Sequence, residues 1–354
     1  METPRTAPDS RQLPISTITA TRHRELLIRA IANVTSSPVA KQTYAQIVDG
    51  LPLSEVADDG FSGCSCLGHP LDPEHTQLCP GVVEEAEALC SRFDANALLM
   101  PSQLLVDYES TPLDSPGFTT RLIELVARAV HQMAVWLYKQ DTNRHKDDAL
   151  GTWRPSEDDL PFYPATFPTT LFCHPWYGDY DQYPEGIADS VGYWAEARIL
   201  GGVVLFDRKN PDSDAVYIHA DRRSVTYRIC RLLDSQVEAL TKFLLSESNP
   251  TASASASASA SASASAQPEN GPLPVLPTQA NRERVDPESA IETTGIYRDL
   301  WERRLRPLDE TDLRTRDVVD TFNFLSKEGW GAAGRRAMRE RDERERLEER
   351  GTRW

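Results

Sequence analysis

Apolar residues recur along this chain with two periods, and the change from one to the other marks its architecture. Over residues 119–139, Leu122, Leu125, Val126, Ala129, Val130, Met133 and Leu137 follow the i, i+3, i+4, i+7 spacing of a helix with one buried face. Arg121, Glu124, Arg128, Gln132 and Lys139 fall on the opposite, wetter side, so this segment reads as the core helix. Shorter helical stretches are predicted over 21–34, around 43–48, and after Pro80, which suits a first helical position and precedes a stripe of Val83, Ala86, Leu89, Cys90 and Phe93.

Further along, the period shortens to two. Residues 199–207 are apolar and valine-rich, as in a buried strand, with Gly201-Gly202 inside it as a bulge or a close backbone approach. Residues 191–196 read as a helical turn or a strand entry. Residues 215–220 alternate, and Val225, Tyr227 and Ile229 alternate again beyond the polar turn 221–224. Ser235 with Glu238 three residues on fits a capping box, so a helix with Val237, Leu240, Phe243 and Leu244 inward follows the strands. The fold class implied is α+β, a short antiparallel meander packed against helices, with a helical C-terminal appendage.

Seven Ser-Ala repeats over 253–266 carry no large apolar group, so burial there cannot offset ordering entropy. The expected organisation is a disordered N-terminus (1–20), one globular domain (21–248), a flexible linker (249–277) and a charged appendage (278–354). The appendage reads as helical in pieces, over 288–304, 312–327 and 332–350, the last almost wholly Arg, Glu and Asp.

Charge narrows the partners. Residues 1–120 carry 7 Lys+Arg against 16 Asp+Glu, 121–270 carry 14 against 20, and 271–354 carry 17 against 18, for a net −16. An acidic body repels a phosphate backbone, which argues against nucleic acid as a partner. The longest strongly apolar run, 199–206, is far short of the roughly 20 residues of a membrane span, and the first residues lack a signal-peptide core. With six cysteines in 354 residues and no disulfide framework, the expected setting is the cytoplasm or nucleus, with reduced thiols.

Ten of the 28 aromatic residues fall in the 33 positions 162–194, threaded with proline and carboxylates. Trp176, Tyr177, Tyr180, Tyr183 and Trp194 are the expected contact residues for a protein partner. The same stretch offers an acid–base set in His174, Asp179 and Asp181, joined by His219 and Asp221 from the meander. A separate loop reads Cys64-x-Cys66-x2-His69-x5-His75-x3-Cys79, soft ligands that suit zinc although the spacing departs from paired knuckles. No nucleotide fingerprint or nucleophile elbow is present, and the sequence leaves the cofactor unknown.

The run from Tyr183-Pro184-Glu185-Gly186 through Val191-Gly192-Tyr193-Trp194 to Val203-Val204-Leu205-Phe206-Asp207-Arg208 resembles a block shared by uncharacterised proteins of filamentous fungi. Tyr217-Ile218-His219, Val225-Thr226-Tyr227-Arg228-Ile229 and Gly295-Ile296-Tyr297-Arg298-Asp299-Leu300-Trp301-Glu302-Arg303 are similar to the same pattern. The resemblance implies a fungal, intracellular protein in which 296–303 docks back on the main domain, and it brings no activity or catalytic residue with it. The expected function is that of a non-enzymatic interaction or regulatory protein using an aromatic-rich surface. The alternatives are a small-molecule-modifying enzyme or hydrolase with a pocket near His174 and His219, and a zinc-binding module at Cys64–Cys79.

Overall fold

In the computed structural model, the described residues are 11–59, 71–146, 150–154, 156–157, 169–210, 212–222, 225–247, 271–304, 322 and 327–351. They form an α+β fold in which helices surround one face of a five-stranded antiparallel sheet. A short strand β1 (Gln12–Pro14) leads into α1 (Thr21–Thr35), α2 (Pro38–Asp49), α3 (Ser54–Asp58), α4 (Leu71–Glu74) and α5 (Val82–Arg92). Strand β2 (Leu99–Pro101) pairs antiparallel with β1, and α6 (Ser102–Ser110) follows.

The core helix α7 (Pro116–Tyr138) starts where Ser115 Oγ accepts the Phe118 N–H at 3.2 Å and Pro116 occupies the first turn. It packs along α8 (Ile187–Leu200), which is buried on nearly every side. That all-round burial explains why α8 has no one-sided apolar stripe and reads ambiguously from sequence. The two helices approach closely at Gly192, where a Cβ would lie 2.6 Å from the His131 ring.

The strand expected over 199–207 divides into two elements. Ile199 and Leu200 complete α8, Gly201 ends it with a left-handed φ of 103°, and β3 (Val203–Asp207) begins after the turn. The Gly201-Gly202 pair is therefore a helix stop and not a bulge, while the expected close backbone approach holds: a Cβ on Gly201 would lie 2.3 Å from Val275 O and one on Gly202 2.7 Å from His219 O. Strands β4 (Val216–His219) and β5 (Ile229–Arg231) complete the meander, the third strand being later and shorter than the alternation suggested. Helix α9 (Asp234–Leu245) is capped by Gln236, whose Oε1 accepts the Leu233 N–H at 3.0 Å, in place of the expected Ser235–Glu238 pair.

The chain after the repeat region closes both edges of the sheet. Strand β6 (Arg284–Val285) pairs with β5, and β7 (Ile296–Tyr297) pairs with β3, giving the order β6-β5-β4-β3-β7. Between them lie α10 (Pro287–Ser289) and a π turn over Ala290–Thr294, so of the helix expected across 288–304 only 288–294 is helical, followed by the two-residue β7 and turns. Leu273 and Val275 enter the main core, and Val275 N–H donates to Leu200 O at 2.9 Å, so the packed chain resumes by 271 and not at 278. Helix α11 (Lys327–Gly351) is the charged tail helix. Of the expected disordered stretch 1–20, residues 12–18 are instead packed, with β1 paired to β2 and Ile15 and Ile18 buried, because these apolar side chains complete the helical core. Residues 1–10, the Ser-Ala repeats and most of the expected helix 312–327 lie outside the described residues.

Alternation sorts the sheet's side chains into two cores. Val204, Phe206, Val216 and Ile218 face α7, α8 and α9, whereas Val203, Leu205, Tyr217 and Ile229 face Tyr177, Tyr183 and Tyr193. The aromatic stretch thus serves as the cover of the sheet's outer face. The Gly192→Ala variant is expected to lose about 1–3 kcal/mol in urea unfolding, since an added methyl forces α7 and α8 apart. An unchanged midpoint would contradict the close approach.

Candidate functional site

His174 and His219 do come together, but inside the fold. Their ring centroids are 5.0 Å apart and both are essentially inaccessible. Trp176 N–H donates to His174 Nδ1 at 3.2 Å, which leaves the proton on Nε2 for His219 O, also at 3.2 Å. His219 Nε2 faces Tyr227 O at 3.0 Å, and its Nδ1 accepts the Tyr177 hydroxyl at 3.2 Å. Burial pushes both imidazoles below their ordinary range, so both are neutral with all ring nitrogens engaged.

The carboxylates expected beside them are divided. Asp221 is buried and its field raises the pKa of His174 against the larger effect of burial. Asp179 accepts the Arg304 N–H at 2.8 Å, and Asp181 pairs with the Arg304 guanidinium at the surface. Among the expected contact rings, Tyr177, Tyr183 and Trp194 are buried, Trp176 is half-buried, and Tyr180 is 39% exposed. Sealing the outer face of the sheet takes most of the rings, so the expected aromatic contact surface shrinks to Tyr180 and part of Trp176.

A second constellation, missed in the sequence, lies where the returning chain crosses α7 and α8. Glu196 on α8 is wholly buried and receives Arg298 Nη1 at 2.7 and 2.8 Å, together with the Val204 N–H at 2.7 Å. His131 Nε2 meets Asp189 Oδ1 at 2.9 Å, while Nδ1 points to Glu196 at 3.8 Å. Arg128 bridges Glu124 and Asp299, and Arg208 reaches Glu124 Oε1 at 2.6 Å. Glu124 and Arg128, expected on the wet face of α7, and Glu196, expected at a strand end, are therefore parts of one buried ionic network.

Burial alone would raise the pKa of Glu196, but Arg298 and His131 hold it below the ordinary carboxylate range. For His131, burial opposes protonation, yet the hydrogen bond to Asp189 and the nearby carboxylate of Glu196 outweigh it and raise the pKa from its ordinary value. Above this network opens a cleft of about 540 Å³, with Phe93, Leu99, Trp136 and Trp301 on its walls and Arg92, Asp94, Lys139 and Glu185 around it. Arg128, His131, Asp189, Arg298 and Asp299 form the polar lining.

The cysteine loop is seen only in part, because Cys64, Cys66 and His69 lie outside the described residues. His75 and Cys79 converge on Asp49 and His145, two residues the spacing did not bring in. Cys173 is disulfide-bonded with its partner outside the described residues, which corrects the expectation of six thiols; Cys79, Cys90 and Cys230 are in no disulfide. No helix among the described residues is long and apolar enough to cross a membrane.

Two outcomes test the network. Arg298→Met leaves Glu196 buried and unpaired and is expected to cost roughly 3–5 kcal/mol in urea unfolding, with partial recovery in the Glu196→Gln/Arg298→Met double variant. Because the folded pKa of His131 is raised, its contribution is complete below about pH 6.5 and is lost as pH climbs through the folded value. Wild-type stability is therefore expected to fall above pH 6.5 in a way that His131→Gln does not, and identical profiles would refute the charged imidazolium. No protein-family model, no curated protein and no solved structure matches this chain, so its function is argued from this geometry.

Proposed function

We propose that the chain is a non-enzymatic interaction protein that receives an apolar segment of a partner protein in the cleft beside α7 and the returning strand β7. The observation that carries this reading is the combination of an aromatic mouth with a floor whose charges are already paired with one another. Leu99 is 51% exposed at this mouth, and Phe93, Trp136 and Trp301 are half-buried beside it. An apolar centre ringed by Arg92, Asp94, Lys139 and Glu185 has the composition of a protein–protein contact. Its volume of about 540 Å³ admits one or two large side chains.

Catalysis draws less support. General acid–base chemistry needs a nitrogen or carboxylate that can reach a substrate. His174 and His219 spend both ring nitrogens on the protein, and His131 lies between two carboxylates. The acidic balance of the chain favours a protein partner over a nucleic acid. The fungal setting expected from the sequence belongs to the same proposal, whereas the disulfide at Cys173 removes the reduced-thiol argument for the cytoplasm or nucleus.

Leu99→Glu places a charge at the mouth without touching the core. Affinity capture from the native cell is expected to drop at least about tenfold for this variant and for Trp301→Ala, with melting temperature unchanged in Leu99→Glu. Equal capture by Leu99→Glu, with crosslinks mapping to another face, would overturn the proposal.

A further inference from the structure

We infer that Asp49, Cys79 and His145 form a site for a divalent transition-metal ion of the zinc type, independent of the cleft. Asp49 is the last residue of α2 and has no solvent exposure. A carboxylate there faces the negative end of the helix dipole, the least favourable place for a buried anion. Its two oxygens are treated differently. Oδ2 accepts the Cys79 N–H at 3.1 Å, with His75 Nε2 at 3.6 Å. Oδ1 is buried without a hydrogen-bond donor, an arrangement that costs folding free energy unless a cation sits beside it.

The neighbours of Oδ1 are metal donors. His145 Nε2 lies 3.6 Å away and is itself 3.6 Å from Cys79 Sγ, and all three donor atoms fall within 4.8 Å of one another. A tetrahedral zinc ion with bonds of about 2.0 Å to N or O and about 2.3 Å to S holds its donors about 3.3–3.5 Å apart. The two 3.6 Å spacings need only a few tenths of an ångström of adjustment, and the Asp49–Cys79 spacing, within 4.8 Å, needs about 1.3 Å at most. Carboxylate, thiolate and imidazole together suit zinc and exclude hard ions such as calcium or magnesium.

The backbone holds the donors in place. Arg144 N–H donates to Asp49 O at 2.9 Å, and Thr142 Oγ1 donates to Val48 O at 2.9 Å, fastening the loop that carries His145 across the end of α2. Gly50 turns the chain away with φ of 105°, and a Cβ there would meet the Asn143 side chain at 2.1 Å. His75 also approaches Leu51 O at 3.3 Å and packs edge-on to His145 with centroids 4.6 Å apart, so it is a positioning residue for Asp49 and His145. His145 lines a cavity of about 440 Å³, which gives an ion a way in and leaves a fourth position for water or a further side chain.

The test uses the full chain expressed in zinc-supplemented cells, dialysed against metal-free buffer, and then exchanged with cobalt. One zinc per chain is expected, and the cobalt form is expected to show thiolate-to-metal charge-transfer absorption. Cys79→Ser abolishes that absorption, Asp49→Asn and His145→Ala weaken zinc affinity at least about tenfold, and His75→Ala weakens it by roughly 10–100-fold while keeping the absorption. Cys90→Ser serves as the control and leaves both readouts intact. Absence of bound zinc and of cobalt absorption in wild type would overturn the inference, as would full absorption in Cys79→Ser. Should the variants fail to fold, the wild-type protein still decides: chelation is expected to lower its melting temperature and zinc to restore it, and no response would overturn the site.

Discussion

The contact between Glu196 and Arg298 governs this molecule. A carboxylate in the middle of α8, with no solvent access, is tolerable only because a guanidinium supplied from 102 residues later meets both of its oxygens. Removing one member leaves a bare charge in a low-dielectric core, so the pair welds the returning chain to the helix layer more firmly than its net energy suggests. Asp299 next to Arg298 extends the weld to Arg128 on α7, and Glu302 accepts the Arg298 N–H at 3.0 Å. Two chain segments far apart in sequence therefore behave as a single structural unit.

Much of the fold was visible in the periodicities. The core helix, the meander and the helix after it follow from spacing, because the large apolar residues of α7 and α9 recur at helical intervals, although α7 and β4 prove buried on both faces. Helix α8 did not, since an element surrounded on every side has no polar stripe to fix its period, and its last turn merges with the valine run of β3. Strands β6 and β7 have two residues each, too few for any alternation. Their positions are set by partners on β5 and β3, and no local signal encodes that.

The site was less legible for a related reason. His174 and His219 were correctly paired in space, but pairing says nothing about access, and burial turned them into neutral structural hydrogen-bonders. Conversely Glu124, Arg128 and Glu196 resembled solvated charges or strand ends because a buried charge is recognised only by its distant partner. The one legible hint was charge in apolar surroundings, as with Asp189 and Glu196, seven residues apart on one face of the largely apolar α8. The cysteine loop offered His75 and Cys79, while Asp49 and His145 came from segments that spacing rules do not connect.

Both border strands of the sheet are made late. At translation speeds of roughly 5–20 residues per second, the Arg298 codon is read about 5–20 s after that for Glu196. During most of that interval β3 and β5 lack the strands that border them, and α8 holds an anion without its counter-charge. The final cooperative step of folding therefore awaits the segment that comes last.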